Sequence, residues 1–187
     1  MGERDHTYYR TLYDLVRVIN SSLEPTTVLD TIAKQVADAM NAKACTLRLI
    51  DRRGTTLLAS AAWGLSKGYL RKGPIEIAKS GLDREVLAGN VVHIQDVATD
   101  PRFQYPEAAR AEGLVSILVL PLLVEGKAIG SLRVYSDTRR DFTEEEVEFA
   151  GAIANLSAIA IENARMHQAL KTDYELLTAY NNTIHEL

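Results

Sequence analysis

SILVLPLLVEGKAIGSLRVYS, Ser116 to Ser136, spells two strands and the turn between them. The first half is an apolar run interrupted by Pro121; the second half alternates and carries Arg133 inside a strand. A continuous apolar strand belongs in a sheet covered on both faces, whereas alternation marks one face as more polar. Pro121 has no ladder donor, so it belongs at a bulge or where its nitrogen faces away from a partner strand. With Glu125-Gly126 as the turn, the two strands form an antiparallel hairpin. Ala128, Gly130, Leu132 and Val134 are predicted to face helices, and Ile129, Ser131, Arg133 and Tyr135 to face the other way.

Upstream, AKACTLRLID alternates in the same manner: Cys45, Leu47 and Leu49 on one side, Thr46 and Arg48 on the other. RRG is a turn, and TTLLASAAW returns as a second strand closing at Gly64. Two amphipathic helices come before these strands. The first, over residues 5–21, carries Tyr8, Leu12, Leu15, Val16 and Ile19, with Leu23 beyond it; the second, after Pro25, carries Val28, Ile32, Val36 and Met40. Between Leu65 and Gly113 the pattern is short and broken. Ser80 with Asp83 reads as a capping box for a helix to Ala88, VVHIQDV as a short strand, and Asp100-Pro101 as a cap with a preset first turn. Thr143 with Glu146 is a second capping box, after which helical periodicity continues to Leu187.

Consecutive hairpins exclude a parallel βαβ arrangement. The fold class is therefore α+β, a central antiparallel sheet with the amino- and carboxyl-terminal helices on one face. Structureless loops as long as 65–113 are uncommon, so this segment is expected to cover the second face and enclose a pocket. Two readings of Arg48 and Arg133 stay open at this point: pocket residues, or strand residues on open solvent paired with acids.

The 187 residues suit one domain with a helical extension. The formal charge of −4 and the scattered basic pairs Arg52-Arg53, Arg71-Lys72 and Arg139-Arg140 give no basic stripe, so no nucleic-acid partner is expected. Pro121 interrupts the longest apolar run far short of a membrane span. The absence of a signal-like start and the single Cys45 point to a cytoplasmic protein without a disulfide framework.

LEPTTVLDTIAKQVADAM, AAWGL, VVHIQDVATDPRF, GLVSILVLPLLVEGKAIGSLRVYS and DFTEEEVEFAGAIANLSAIAIENAR, in that order, resemble a GAF domain, a small-molecule sensing and dimerisation module of signalling proteins. The resemblance runs from about Leu12 to Arg165. It implies a sheet of five or six antiparallel strands with a ligand pocket on the face away from the terminal helices. Residues 1–165 are thus expected to form the domain and 166–187 its helical extension. The cyclic-nucleotide-binding members carry a spaced Asn-Lys-Phe-Asp-Glu signature, of which SDTRRDFTEEE keeps only the phenylalanine and the acids. Relatives that reduce free methionine sulfoxide use several cysteines, and one cysteine cannot form and resolve an intramolecular disulfide. Bilin-binding relatives use a cysteine outside the early strands, whereas Cys45 has the phase of a core residue.

No catalytic motif stands out. Glu144, Glu145 and Glu146 complement the dipole of the last helix. His93 is the one histidine in the strand region, and no set of metal ligands converges, so neither metal nor cofactor is expected. The candidate ligand-binding residues are Thr46, Arg48, Trp63, Tyr69, His93, Phe103, Tyr105, Ser116, Ser131 and Arg133. Arginines match carboxylate and phosphate in bidentate geometry, and the aromatics supply stacking surface.

In the last helix Leu156, Asn163, Leu170, Leu177 and Ile184 recur every seven residues, with Ile159, Met166, Asp173, Tyr180 and Leu187 as the companion seam. Such heptads predict a coiled coil with a second copy of the chain, and a separate signalling output protein is a further expected partner. The leading expectation is a non-catalytic sensor; the alternative is a structural dimerisation module whose pocket is filled by its own side chains.

Overall fold

The computed structural model describes residues 3–21 and 24–185. Its elements are α1 (Glu3–Ser21), α2 (Pro25–Ala39), β1 (Ala44–Ile50), β2 (Thr56–Trp63), α3 (Lys67–Leu70), β3 (Ile75–Glu76), a 3-10 turn (Ile77–Lys79), α4 (Gly81–Leu87), β4 (Val92–Ile94), α5 (Pro106–Glu112), β5 (Ser116–Val124), β6 (Lys127–Ser136) and α6 (Glu144–His185). The strands form one antiparallel sheet in the order β3-β2-β1-β6-β5-β4. The fold is α+β, with six strands.

The β5–β6 hairpin turns on Glu125 and Gly126 at φ 49° and 78°. Positive φ at both central residues matches the right-handed twist of the flanking strands, which is why two-residue hairpins favour such turns. Pro121 lies past Val119, where pairing with β4 ends and β5 has β6 as its neighbour. Gly130 is required for a different reason: a Cβ there would stand 2.0 Å from the Arg48 carbonyl oxygen, so β1 and β6 approach closely because no side chain intervenes.

Cys45, Leu47, Leu118, Leu120, Leu122, Leu132 and Val134 form the helix face of the sheet. Against it pack Val28, Ile32, Val36 and Met40 of α2, Leu15 of α1, and Phe149, Ile153 and Ile161 of α6. Each large aliphatic side chain buried this way contributes about 1.5–3 kcal/mol. Tyr8 stacks on Phe149 with ring centroids 4.2 Å apart, tying α1 to α6.

Three expectations need correction. Ile129 packs with the helix-face core, because Leu122 pairs with Gly130 and Leu123 with Ala128, leaving Ile129 as the extra residue of a bulge. Asp100-Pro101 opens a turn, with Asp100 Oδ1 accepting from the Arg102 amide at 2.9 Å; the helix begins later, at Pro106. The Ser80 capping box is half-formed: Ser80 Oγ accepts from the Asp83 amide at 3.2 Å, but the Ser80 amide bonds to Ile77 O and the Asp83 carboxylate turns elsewhere. The Thr143–Glu146 box is reciprocal, with bonds of 3.2 and 3.0 Å.

α6 spans 42 residues, about 63 Å at 1.5 Å per residue. Its buried stripe runs from Phe149 to Ile161. Beyond that, Met166, Leu170 and Leu177 are 52, 69 and 64 % exposed, and Ile159 and Asn163 also face solvent while Leu156 is half-buried. The side chains of Tyr180 and Ile184, and residues Leu23 and Leu187 altogether, lie outside the described residues. No helix among the described residues is long and apolar enough to cross a membrane.

Candidate functional site

The second face of the sheet is built by register. Thr46 pairs with Arg133, Arg48 with Ser131 and Ala44 with Tyr135, so Thr46, Arg48, Ser131, Arg133 and Tyr135 share the face opposite the helices. The segment between β2 and β5 lies over it. Tyr69 of α3, Leu82 and Val86 of α4, and Phe103 pack with Ile117, Val119 and Tyr135 as a second apolar cluster. Both arginines are consequently 2 % exposed, which decides between the two readings of them: neither lies on open solvent.

Their surroundings differ. Arg133 donates through Nη2 to Asp83 Oδ1 of α4 in a buried ion pair, and through Nε to Ser131 Oγ at 3.4 Å. Ser80 Oγ donates to the other Asp83 oxygen at 2.6 Å. Burial alone would lower the Arg133 pKa, but the adjoining carboxylate outweighs it and raises it. Arg48 has no carboxylate partner among the described residues, and its Nε makes no hydrogen bond. Burial pushes its pKa down; attraction from Tyr135 opposes this, and repulsion from Arg133 adds to it. The Tyr135 hydroxyl lies against Arg48 and Tyr69, close enough to favour the charged arginine, but at no ordinary hydrogen-bond geometry to either; Thr46 Oγ1 has no partner in reach. A buried polar atom left unsatisfied costs about 1–3 kcal/mol, and a charge more.

Tyr69 stands edge-on to Tyr135 at 6.3 Å, and Lys72 sits over the Tyr69 ring at 3.7 Å. Burial first, then Arg48 and Arg133, hold the Lys72 pKa down at about 7. The space enclosed among Tyr69, Lys72, Leu82, Asp83, Phe103 and Arg133 is about 10 Å³, room for roughly one water.

Thr46, Arg48, Tyr69, Phe103, Tyr105, Ser131 and Arg133 therefore gather under the cover; Tyr105 donates to Pro74 O at 2.8 Å and lines the same space. Three predicted residues lie elsewhere. Trp63 pairs with Cys45 on the helix face, with Lys34 of α2 5.2 Å from its ring, because the register shift in β2 makes Ser60 an extra residue and reverses the phase beyond it. His93 pairs with Leu118, another helix-face residue; its Nε2 meets Arg140 O at 2.8 Å and its ring meets Phe142 edge-on. Ser116 pairs with Ser136 and donates to Thr138 O at 2.8 Å. Sequence reasoning missed Asp83 and Lys72, and left out Tyr135 although its phase already placed it beside Arg133.

An open groove of about 580 Å³ lies on the helical side, among α1, α2 and α6, lined by Ile19, Val28, Leu29, Ile161 and His167. Among the described residues, no unsatisfied buried polar side chain lines it. The cover face, with its orphaned polar atoms, is the better candidate site.

A family model described as GAF domain matches residues 24–161. No curated protein sequence matches the chain. Among solved structures, the GAF domain from an Acinetobacter phosphoenolpyruvate-protein phosphotransferase is 26 % identical with a TM-score of 0.74, over 89 % of this chain and 97 % of that one. A methyl-accepting chemotaxis protein segment, residues 122 to 287, is 24 % identical with a TM-score of 0.69, over 83 % and 99 %. Free methionine-R-sulfoxide reductase from Neisseria meningitidis, in complex with its substrate, is 19 % identical with a TM-score of 0.74, over 89 % and 95 %. The last two likenesses concern the fold.

Proposed function

Because the chain belongs to the GAF domain family, a family found in signalling proteins, we propose that it is a non-catalytic sensory module that binds a small polar ligand between sheet and cover and relays it through α6. The observation that carries this reading is the group of buried, unsatisfied polar atoms on Arg48, Thr46 and Tyr135 beneath a cover made of short elements. Such groups are ordinarily satisfied by protein, water or ligand.

A relay has a material basis. β6 carries Arg133 and Tyr135 and leads through residues 137–143 into α6. Arg140 in that connection donates to Met40 O at 2.6 Å and to Glu146 of α6 at 2.6 Å, so the ends of α2, β6 and α6 meet at one clip. A ligand acts there only through different affinities for two arrangements of these elements.

The output partner in this reading is a second copy of the chain, with a separate signalling protein further on, on the cytoplasmic side. Met166, Leu170 and Leu177 are exposed at heptad spacing on a helix that extends past its own core, and α1 adds exposed Tyr9 and Tyr13. Light scattering should report a dimer, and truncation after Arg165 should weaken it; an unchanged dimer would remove the part of α6 beyond Arg165 from the interface.

The non-catalytic part rests on Cys45, the single cysteine, which is fully buried on the helix face and whose thiol pKa is pushed up by burial. The rival reading, a structural dimerisation module with a self-filled pocket, draws on the small enclosed space of about 10 Å³. Native and denaturing mass spectra of the purified protein separate the two: a mass lost on denaturing supports the sensor, and a bare polypeptide under both conditions supports the rival.

A further inference from the structure

Arg48 and Arg133 occupy adjacent strands, on the same face, at equal burial. For one of them the protein supplies an occupant, the carboxylate of Asp83, reached across fifty residues of chain and held from behind by Ser80. For the other there is no carboxylate among the described residues, and Nε is unsatisfied. On the same face are two hydroxyls, Thr46 Oγ1 and Tyr135 Oη, each buried and neither in a hydrogen bond of ordinary geometry, with Tyr135 lying against Arg48. A guanidinium is an obligate multiple donor, and both hydroxyls are able to donate. All three can donate to one acceptor, and Asp83 shows which acceptor suits a guanidinium on this face.

Resting on the reading of a ligand-binding cover face, we propose that Arg48, Thr46 and Tyr135 receive the carboxylate of a small organic acid, in the way that Arg133 and Ser80 already meet the carboxylate of Asp83. Planar carboxylate and planar guanidinium match in two parallel hydrogen bonds. The neighbouring Tyr69, Leu82 and Phe103 offer an apolar wall for the carbon skeleton of such an acid. The amide of Asp83 at the start of α4 is already capped by Ser80, and the Asp83 carboxylate lies there too, which disfavours a phosphate at that helix start. Entry requires the cover to yield, since the enclosed space is small.

Lys72 is drawn into the same balance. It faces the rings of Tyr69 and Tyr105, Arg48 of β1, Arg133 of β6 and Glu112 of α5. An anion on Arg48 offsets the repulsion and favours the protonated lysine, so binding takes up a proton and weakens as pH rises through about 7.

Thermal unfolding of the full chain tests this with acetate as probe, against chloride and inorganic phosphate at matched ionic strength. Wild type should gain roughly 3 °C in about 0.1 M acetate relative to chloride, more at pH 6 than at pH 8. Arg48→Met should unfold at a higher temperature than wild type in chloride, because an unpaired buried charge is gone, and should lose the acetate response. Tyr135→Phe and Thr46→Val, which keep the shape of the site, should hold their stability in chloride and respond less to acetate. A destabilised Arg48→Met, or an acetate gain that survives Tyr135→Phe and Thr46→Val in full, overturns the assignment. A gain with phosphate and none with acetate overturns the carboxylate class. An uncharged metabolite in the native mass spectrum, retained by Arg48→Met, overturns the anion receptor and leaves the sensor reading standing; a bare mass with no anion response overturns both.

Discussion

The two faces of one sheet solve opposite problems. On the helix face, Leu47, Leu132 and Val134 meet aliphatic side chains from α1, α2 and α6, and interchangeable apolar contacts do the work. On the cover face, one residue along the same strands, Arg48 and Arg133 are equally buried; Arg133 has the carboxylate of Asp83, and Arg48 has no carboxylate among the described residues. Apolar burial tolerates neighbours of many shapes, whereas a buried charge is stable only with its counter-charge and hydrogen bonds in place. The first face therefore holds the fold together, and the second makes the position of the cover depend on a few atoms.

Asp83→Asn should break this contrast most severely. It leaves Arg133 buried without its counter-charge and should cost about 4 kcal/mol in urea unfolding. The double variant Asp83→Leu, Arg133→Met should recover most of that loss; a double variant as unstable as the single one would show that packing, not charge, holds α4. On the other face Leu132→Ala should cost about 3 kcal/mol through transfer and cavity terms, with no change in anion response.

A third effect appears as pH dependence. Lys72 is held at about 7 against an ordinary 10.5, so between these values the unfolded chain binds more protons than the folded one. Stability then rises with pH across that window, and the full penalty of the buried ammonium is present below about 7. Lys72→Met should flatten the rise; an unchanged slope would assign it to another group. The smallest change expected is Lys34→Ala, which removes a cation from the Trp63 ring on the helix side and should cost about 0.5 kcal/mol with a shift in tryptophan emission. An emission change on adding acetate instead would bring Trp63 back toward the cover.

Strand alternation made Arg48 and Arg133 legible as residues of one face, because period-two patterning is a direct image of the pleat. The bulges were not legible. Ser60 and Ile129 are ordinary strand residues, yet each shifts the register by one and so misplaces Trp63 or Ile129 itself. His93 sits in a three-residue strand whose neighbours are apolar on both sides, too short for phase to show. Asp83 could be read locally only as part of a cap, since its partner Arg133 is fifty positions away and nothing in the helix start announces it. Ser80 and Thr143 open look-alike boxes, and the difference between them is set by that same distant arginine.

The Arg140 clip has a mechanical consequence. About 24 residues of α6, some 36 Å, run on from Ile161, the last buried position of the helix among the described side chains, to His185. A rigid rod held at its base magnifies angle into distance: a tilt of about 5° displaces its far end by roughly 3 Å, twice the rise of one helical residue. Small adjustments among Met40, Arg140 and Glu146 are in this way geared up into a displacement that whatever grips the far end of the rod must follow.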